Sequence, residues 1–397
     1  MRPQVTIIGG GMITRDQLLP ALYQLQRLGV IGEITVCASR TRTVQNLGAD
    51  ETLLRAFPGQ RFRVLPDGGD PDTPRPHLYR EAIKQMPPRQ IVVVAVPDDL
   101  HYEVVTASLE SDQHVCAVKP LVWRYEQAVQ IERTAKSRNL LVGVEYHKRF
   151  DDRSLMARQK YRAGLFGEFR LGSAWLMEKW NYRHSNFQNW CIDAFSYIGC
   201  HYVDLTHFIT GLLPSRVSVY GIRDRYPNGK EGHLWTDARV IWNNGACLNV
   251  QNSLGFPDAA PGTNTQGITL HCQRPDGGAL ISHSDQYRGL KYSYPDLYTE
   301  PSPDYLQYVD LGGGGLTPVG YGYRSVEYIV KKCIEVETAA PDLRQDLLRE
   351  IDETGIMATP ANSSYNELVI EAGRLSILND GREATIEYGE NPRVRMS

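Results

Sequence analysis

Four groups of residues in this 397-residue chain have the types and spacing to do chemistry. Gly9, Gly10 and Gly11, followed by Thr14, spell G-x-G-x-x-T directly after a β-branched run, Val5–Ile8. Glycines let the backbone turn tightly and approach another molecule. The helix they open would aim N–H groups and a positive dipole end at a diphosphate. Lys119 and Pro120 close a second apolar run, 115–118. An ammonium at such a strand end can donate to a substrate oxygen and stabilise developing alkoxide charge. Partial desolvation would suit it to proton transfer. Tyr197, His201 and Asp204 fall at i, i+4 and i+7, one face of a helix, and could relay a proton. Residues 178–184 and 189–190 mix aromatic rings with hydrogen-bonding side chains, as a pocket for a polyhydroxylated molecule needs. Lys179, Trp180 and Arg183 are its candidate lining, with Lys119, Tyr197 and His201.

These residues need a scaffold, and the hydrophobic pattern describes one. The strand at 5–8 leads into a helix with Leu18, Leu22 and Leu25 at helical spacing. A second strand, 34–38, is followed by Ser39, Arg40, Thr41 and Arg42, with no acid before Asp50. In a dinucleotide fold that end meets the adenine ribose. A small polar residue with nearby bases favours a 2′-phosphate, so the chemistry leans to NADP(H) over NAD(H). A proline-rich loop at 66–77 precedes a helix at 77–86. A buried strand at 91–96 then ends in Pro97-Asp98-Asp99-Leu100-His101. A helix at 101–111, the strand 115–118 and a strand at 140–144 follow, with Tyr146, His147 and Arg149 at the ligand-facing end of the last. Strands alternating with helices imply a doubly wound, parallel, Rossmann-type sheet. The candidate cofactor-binding residues along its carboxyl edge are Gly9, Gly11, Met12, Ile13, Ser39, Arg40, Arg42, Pro97, His101, Lys119, Pro120 and His147.

Beyond residue 146 the texture changes to alternating, aromatic-rich segments at 169–177, 216–222, 238–242, 247–253 and 268–272. These read as antiparallel sheet with one open face. Long loops are expected at 255–263 and 291–319, the latter with a flexible turn of four glycines at 312–315. An amphipathic helix at 366–377 and a strand at 385–387 end the chain. Two domains follow: a dinucleotide-binding domain, 1–145, and a second, sheet-rich domain, 146–397, whose helix near 366–377 packs back toward the first.

Composition excludes other classes. Net charge is −3 with no block of one sign, which argues against nucleic acid and anionic membranes. Seven scattered cysteines with no C-x-x-C pair read as reduced thiols in a cytoplasmic protein. The chain enters its first strand at once, leaving no room for a signal peptide, and no apolar run reaches membrane-spanning length. His207 lies six residues beyond His201, on another helix face, so no metal site is expected.

The order of a glycine turn, P-D-x-x-H (97–101), a strand ending K-P (119–120), Gly199, His201 and Asp204 in D-x-G-x-H-x-x-D spacing, and E-A-x-R-x-S-I (371–377) resembles the Gfo/Idh/MocA oxidoreductases. Asp98 stands for that family's usual asparagine, Val118 for the glutamate of E-K-P, and Tyr197 for an aspartate. Asp193 lies four residues before Tyr197 and could supply that carboxylate. The resemblance implies NAD or NADP as cofactor, Lys119 at the hydride-transfer site and His201 as acid–base. It also implies that the second domain, 146–397, serves substrate binding and oligomerisation, with a sugar, cyclitol or glycoside as substrate and a homo-oligomer formed through the open sheet. The alternatives are redox-neutral glycoside cleavage or epimerisation with a retained cofactor, as in some members of that family, and a cofactor-loaded sensor, which Val118 and Tyr197 support.

Overall fold

The computed structural model describes residues 2–185, 187–284 and 304–397, and the backbone of 292–294 and 297–299. Contacts divide the chain into two compact units. One is Met1–Val122, Glu126–Phe150 and Tyr305–Asn362; the other is Trp123–Tyr125, Asp151–Asp304 and Ser363–Ser397.

The first unit is built on a six-stranded sheet: β1 (Val5–Ile8), β2 (Ile34–Cys37), β3 (Arg63–Leu65), β4 (Ile91–Val94), β5 (His114–Val118) and β6 (Val142–Glu145). Its order is β3-β2-β1-β4-β5-β6, and every pairing is parallel. The runs VTII and IVVV are buried on both faces, which is why they carry no polar alternation. The helix Tyr321–Thr338 completes the core. Val326, Ile329, Val330, Cys333 and Val336 cluster with Val5, Ile7, Ile91 and Cys116. A boundary drawn at 145/146 omits this return: residues 305–362 group with the sheet of the first 150.

The second unit carries eight strands: β7 (Glu168–Lys179), β8 (Pro214–Arg225), β9 (Glu231–Trp242), β10 (Cys247–Phe256), β11 (Asn264–Arg274), β12 (Gly277–Ser284), then β17 (Ala384–Glu387) and β18 (Arg393–Met396). Between them in sequence lie two short hairpins, β13 (Tyr292–Tyr294) with β14 (Leu297–Thr299), and β15 (Gln307–Val309) with β16 (Thr317–Val319). The order is β12-β11-β7-β10-β9-β8-β17-β18, antiparallel except for β7 with β10. Most of the segment expected as a loop at 291–303 lies outside the described residues. From 307 it is the β15–β16 hairpin, with the four glycines at its tip. The helix Tyr365–Ile377 packs on β8 and β17 of its own unit, where the sequence suggested contact with the first domain.

Alternation leaves one face of the large sheet partly open, with Leu171, Tyr220, Ile222 and Leu280 each more than half exposed. Among the described residues no helix is long and apolar enough to cross a membrane, and no cluster of His, Cys, Asp and Glu is placed to hold a metal ion. No disulfide links any of the seven cysteines.

Candidate functional site

In the first unit the chemistry collects at the carboxyl ends of the parallel strands. Gly9 adopts φ +112°, and a Cβ there would lie 2.1 Å from the Ala95 carbonyl oxygen at the end of the neighbouring β4. Only glycine fits. A Cβ on Gly11 would meet nothing within 4 Å, so the turn is open above it. Helical backbone starts at Met12, which is exposed, and Ile13; the π-turn Thr14–Leu18 continues it into the helix Leu19–Arg27. Thr14 explains its own departure from glycine: it is fully buried and its hydroxyl donates to the Gly9 carbonyl at 2.7 Å, tying the turn shut from below. Cradle, open space and helix start all fit a dinucleotide diphosphate.

Lys119 follows β5 directly and is half-buried. His101 serves its surroundings in a way the sequence reading missed. It is fully buried, with Nδ1 at 2.7 Å from the Pro120 carbonyl and Nε2 at 3.0 Å from the Val96 carbonyl. It therefore clasps the ends of β4 and β5 together behind Lys119, and offers no face to a ligand. Pro97 begins the short turn that leads to it.

His147 belongs to a buried polar network. Its Nδ1 lies 3.0 Å from Glu145 Oε2, and its ring stacks on Tyr321 at 5.6 Å. Glu145 Oε1 accepts from Gln17 Nε2 at 2.8 Å and from Ser325 Oγ at 2.5 Å. Gln17 also donates to the Gly322 carbonyl and accepts from Tyr305. One carboxylate thus pins the helix after the glycine turn, the end of β6 and the helix Tyr321–Thr338 to each other. No single motif announced this network, because its members lie up to 308 residues apart in the chain, from Gln17 to Ser325.

At the end of β2 the expected basic pair is present but engaged. Ser39 and Arg40 are exposed, and Arg42 forks onto Asp72 at 2.6 and 2.5 Å. The sequence lean to NADP(H) counted those arginines as open cations, and the loop 66–77 supplies the carboxylate that makes Arg42 otherwise.

In the second unit His201 and Asp204 sit on the helix Cys200–Thr210, both buried. This helix is entered through a second π-turn, Phe195–Gly199. That wider turn shifts residues before 200 relative to those after it, so the i, i+4 alignment of Tyr197 with His201 does not carry through. Tyr197 packs edge-on to Phe187, with ring centroids 4.7 Å apart, and beside Trp190 at 5.7 Å. Gly199 lets the helix meet the sheet: a Cβ would fall 2.8 Å from Asn252 Oδ1 on β10. Asp204 accepts from Tyr365 Oη at 2.8 Å and Asn366 Nδ2 at 3.0 Å, partners from the C-terminal helix that spacing could not reveal. Asp193, considered for a missing carboxylate, caps this helix start by accepting from Ser196 N and Oγ.

Of the expected pocket lining, Trp180 is 43% exposed. Lys179 has all three ammonium hydrogens committed, to the carbonyls of Pro257, Asp258 and Ala260 at 3.1, 2.8 and 2.5 Å. Burial nudges its pKa down. Arg183 is 1% exposed, held by the Leu254 carbonyl and Asp224, and covered by the Trp180 ring at 3.7 Å. Both side chains hold loops, Arg183 out of reach of solvent and Lys179 half-buried, and Trp180 presents the outer ring of this stack.

Residues 4–146 match the model of an oxidoreductase family with an NAD-binding Rossmann fold. The chain spans between about a fifth and two fifths of the length of the first curated relatives it matches. One is an uncharacterized oxidoreductase of Schizosaccharomyces pombe, 37% identical over 79 residues, covering 20% of this chain and 21% of that one. Levoglucosan dehydrogenase of Pseudarthrobacter phenanthrenivorans is 23% identical, over 70% of this chain and 80% of its own. A scyllo-inositol dehydrogenase of Lactobacillus casei, solved with NAD(H) and scyllo-inositol, shares the fold with TM-score 0.64 and 13% identity, covering 97% of this chain and 99% of that one. With the glycine cradle and the strand-end lysine in place, residues 4–146 form the NAD-binding Rossmann domain of a Gfo/Idh/MocA-type oxidoreductase, and the whole chain shares its fold with solved inositol dehydrogenases.

Proposed function

We propose that the protein is an NAD(P)-dependent dehydrogenase acting on a secondary alcohol, or its ketone, in a sugar or cyclitol. The observation that carries this reading is the Gly9–Gly11 turn, where an obligatory glycine and an unfilled space open a helix at the carboxyl edge of a parallel sheet. Gly9, Gly11, Met12 and Ile13 would hold the diphosphate. Nicotinamide, when bound, supplies or takes the hydride. Lys119 is assigned to the substrate oxygen, where an ammonium stabilises negative charge. His201 is assigned to the hydroxyl proton, with Asp204 fixing the helix that bears it. The exposed Trp180 ring suits the C–H face of a sugar. The relatives named for levoglucosan and scyllo-inositol support this substrate class. The part-open sheet face, with Tyr220 and Ile222 exposed, suits contact with a second copy of the chain, and the disulfide-free cysteines suit the cytoplasm.

The test is to follow reduced nicotinamide absorbance across a panel of sugars and cyclitols with either cofactor. Lys119→Ala should lower kcat by about 10²-fold or more while nucleotide affinity holds. Equal turnover in that variant removes Lys119 from the mechanism. Nucleotide binding without turnover on any panel member favours the sensor, and product release without net reduction favours a redox-neutral reaction.

A further inference from the structure

The loop 66–77 wraps the end of β2. Arg75 N donates to the Ser39 carbonyl at 2.6 Å, Arg42 N to the Pro71 carbonyl at 3.0 Å, and Thr41 Oγ1 to the Gly68 carbonyl at 3.3 Å. Its central residue is Asp72. The Asp72 carboxylate fills the Arg42 fork with two parallel bonds, at 2.6 and 2.5 Å, and the Asp72 carbonyl accepts from Arg40 Nε at 3.1 Å. Both arginines that could bind a phosphate are thus oriented by one acidic residue from another strand's loop. The Arg42 hydrogen bond holds the Asp72 carboxyl below its usual range, so it is ionised at neutral pH. A second acid, Asp70, lies two residues away, with Thr73 and the Asp72 amide on its carboxylate. Arg75 is the remaining nearby cation, and it donates to the Gly68 carbonyl.

Dinucleotide sites choose NAD by an acid at the end of β2 that accepts from the ribose 2′-hydroxyl; they choose NADP by a free arginine fork there. Position 39 is serine, so the sequence offers no acid at that point. We propose that Asp72 takes its place in space and makes the site select NAD(H) over NADP(H). A carboxylate with both oxygens on Arg42 keeps further lone pairs for a hydroxyl. A 2′-phosphate meets an occupied fork and a like charge. The inference rests on the dinucleotide reading proposed above, and reverses the cofactor preference that Arg40 and Arg42 alone suggest.

The experiment is calorimetric titration of the intact protein with NADH and NADPH, for wild type, Asp72→Asn and Asp72→Asn/Arg42→Ala. Both positions are exposed, and a thermal melt checks that the variants fold. Wild type should bind NADH at least about tenfold tighter than NADPH, and Asp72→Asn should tighten NADPH by about tenfold while NADH changes by less than about threefold. The added Arg42→Ala should erase that gain, since the released fork is what the phosphate uses. Wild-type preference for NADPH, or a ratio unmoved by Asp72→Asn, overturns the inference while leaving the dehydrogenase reading intact. Failure of wild type to bind either nucleotide overturns both.

Discussion

Alanine at Gly9 and alanine at Gly11 should fail in opposite ways. Gly9 has φ +112°, where an L-residue costs about 1–3 kcal/mol of backbone strain. Its Cβ would also lie 2.1 Å from the Ala95 oxygen and 2.6 Å from the Ala95 carbon, atoms of backbone rather than of a flexible side chain. Ala95 cannot yield cheaply, because its N–H is bonded to the Ile8 carbonyl at 2.8 Å, and Gly9 N is bonded to Cys37 O at 2.8 Å on the other side. Overpacking of this kind costs about 1–3 kcal/mol more. Gly9→Ala should therefore lose about 2–6 kcal/mol of stability. Gly11 has no positive φ, and no atom lies within 4 Å of where a methyl would stand, so the methyl is free to sit in the turn's open space. Gly11→Ala should hold or slightly raise stability, by up to about 1 kcal/mol through the unfolded chain. The same methyl points where a diphosphate would lie, so nucleotide affinity should fall by about tenfold or more. Urea unfolding read by fluorescence, with calorimetric NADH titration, separates the two. A Gly9→Ala protein as stable as wild type, or a Gly11→Ala protein that binds nucleotide normally, would refute the account of this turn.

Two buried polar groups carry further expectations. His114 is 1% exposed, accepts the Leu141 N–H at 3.0 Å through Nδ1 and faces Glu337 at 3.4 Å through Nε2. Burial depresses its pKa below the ordinary 6.5, with Arg89 and Arg344 assisting and Glu337 opposing. The unfolded chain takes up the proton first, so this contribution is intact above pH 6.5 and lost as pH falls below it. His114→Gln should flatten that decline in urea midpoints measured between about pH 7.5 and about pH 5, either side of the ordinary histidine value. Tyr365→Phe removes a donor from the buried Asp204 carboxylate, at a cost of about 1–3 kcal/mol by thermal unfolding, and an unchanged melting temperature would show that Tyr365 does not hold Asp204.

Strand runs such as VTII and IVVV were legible because burial on both faces leaves a short, β-branched apolar run bounded by turn residues. The alternating strands β8 to β11 were legible for the complementary reason. What stayed hidden depended on long-range return. The helix Tyr321–Thr338 joins a core made from the first 150 residues, and Tyr365 and Asn366 supply partners to Asp204 more than 160 positions away. Side-chain direction was hidden as well. Lys179 and Arg183 have the composition of a binding surface, yet backbone carbonyls and Asp224 claim their donors. Regular helical spacing also misled at Tyr197, because a π-turn adds a residue to the turn just before His201.

Val118 tests whether the chain departs from E-K-P by accident or by compensation. In the parallel register Val118 sits opposite Glu145 on β6, so the two side chains leave the same face of the sheet as neighbours. Val118 is 9% exposed and joins the apolar cluster with Tyr321, Val326 and Ile329. Glu145 is 1% exposed and already serves Gln17, Ser325 and His147. A glutamate at 118 would place a second carboxylate in the same buried space, where two such groups cannot both ionise cheaply. Val118→Glu, though it restores the family's usual residue, should therefore cost about 3–5 kcal/mol at neutral pH. The introduced carboxyl would have its pKa raised by burial and by Glu145, so the penalty should shrink as pH falls toward the ordinary glutamate value of about 4.3, where the unfolded chain loses its advantage in ionising. Val118→Glu/Glu145→Gln should recover part of the loss by removing the like charge while keeping an acceptor for Ser325. Urea unfolding at several pH values reads all three proteins. If Val118→Glu is as stable as wild type at neutral pH, the two positions are independent, and the carboxylate on β6 is not what allows valine on β5.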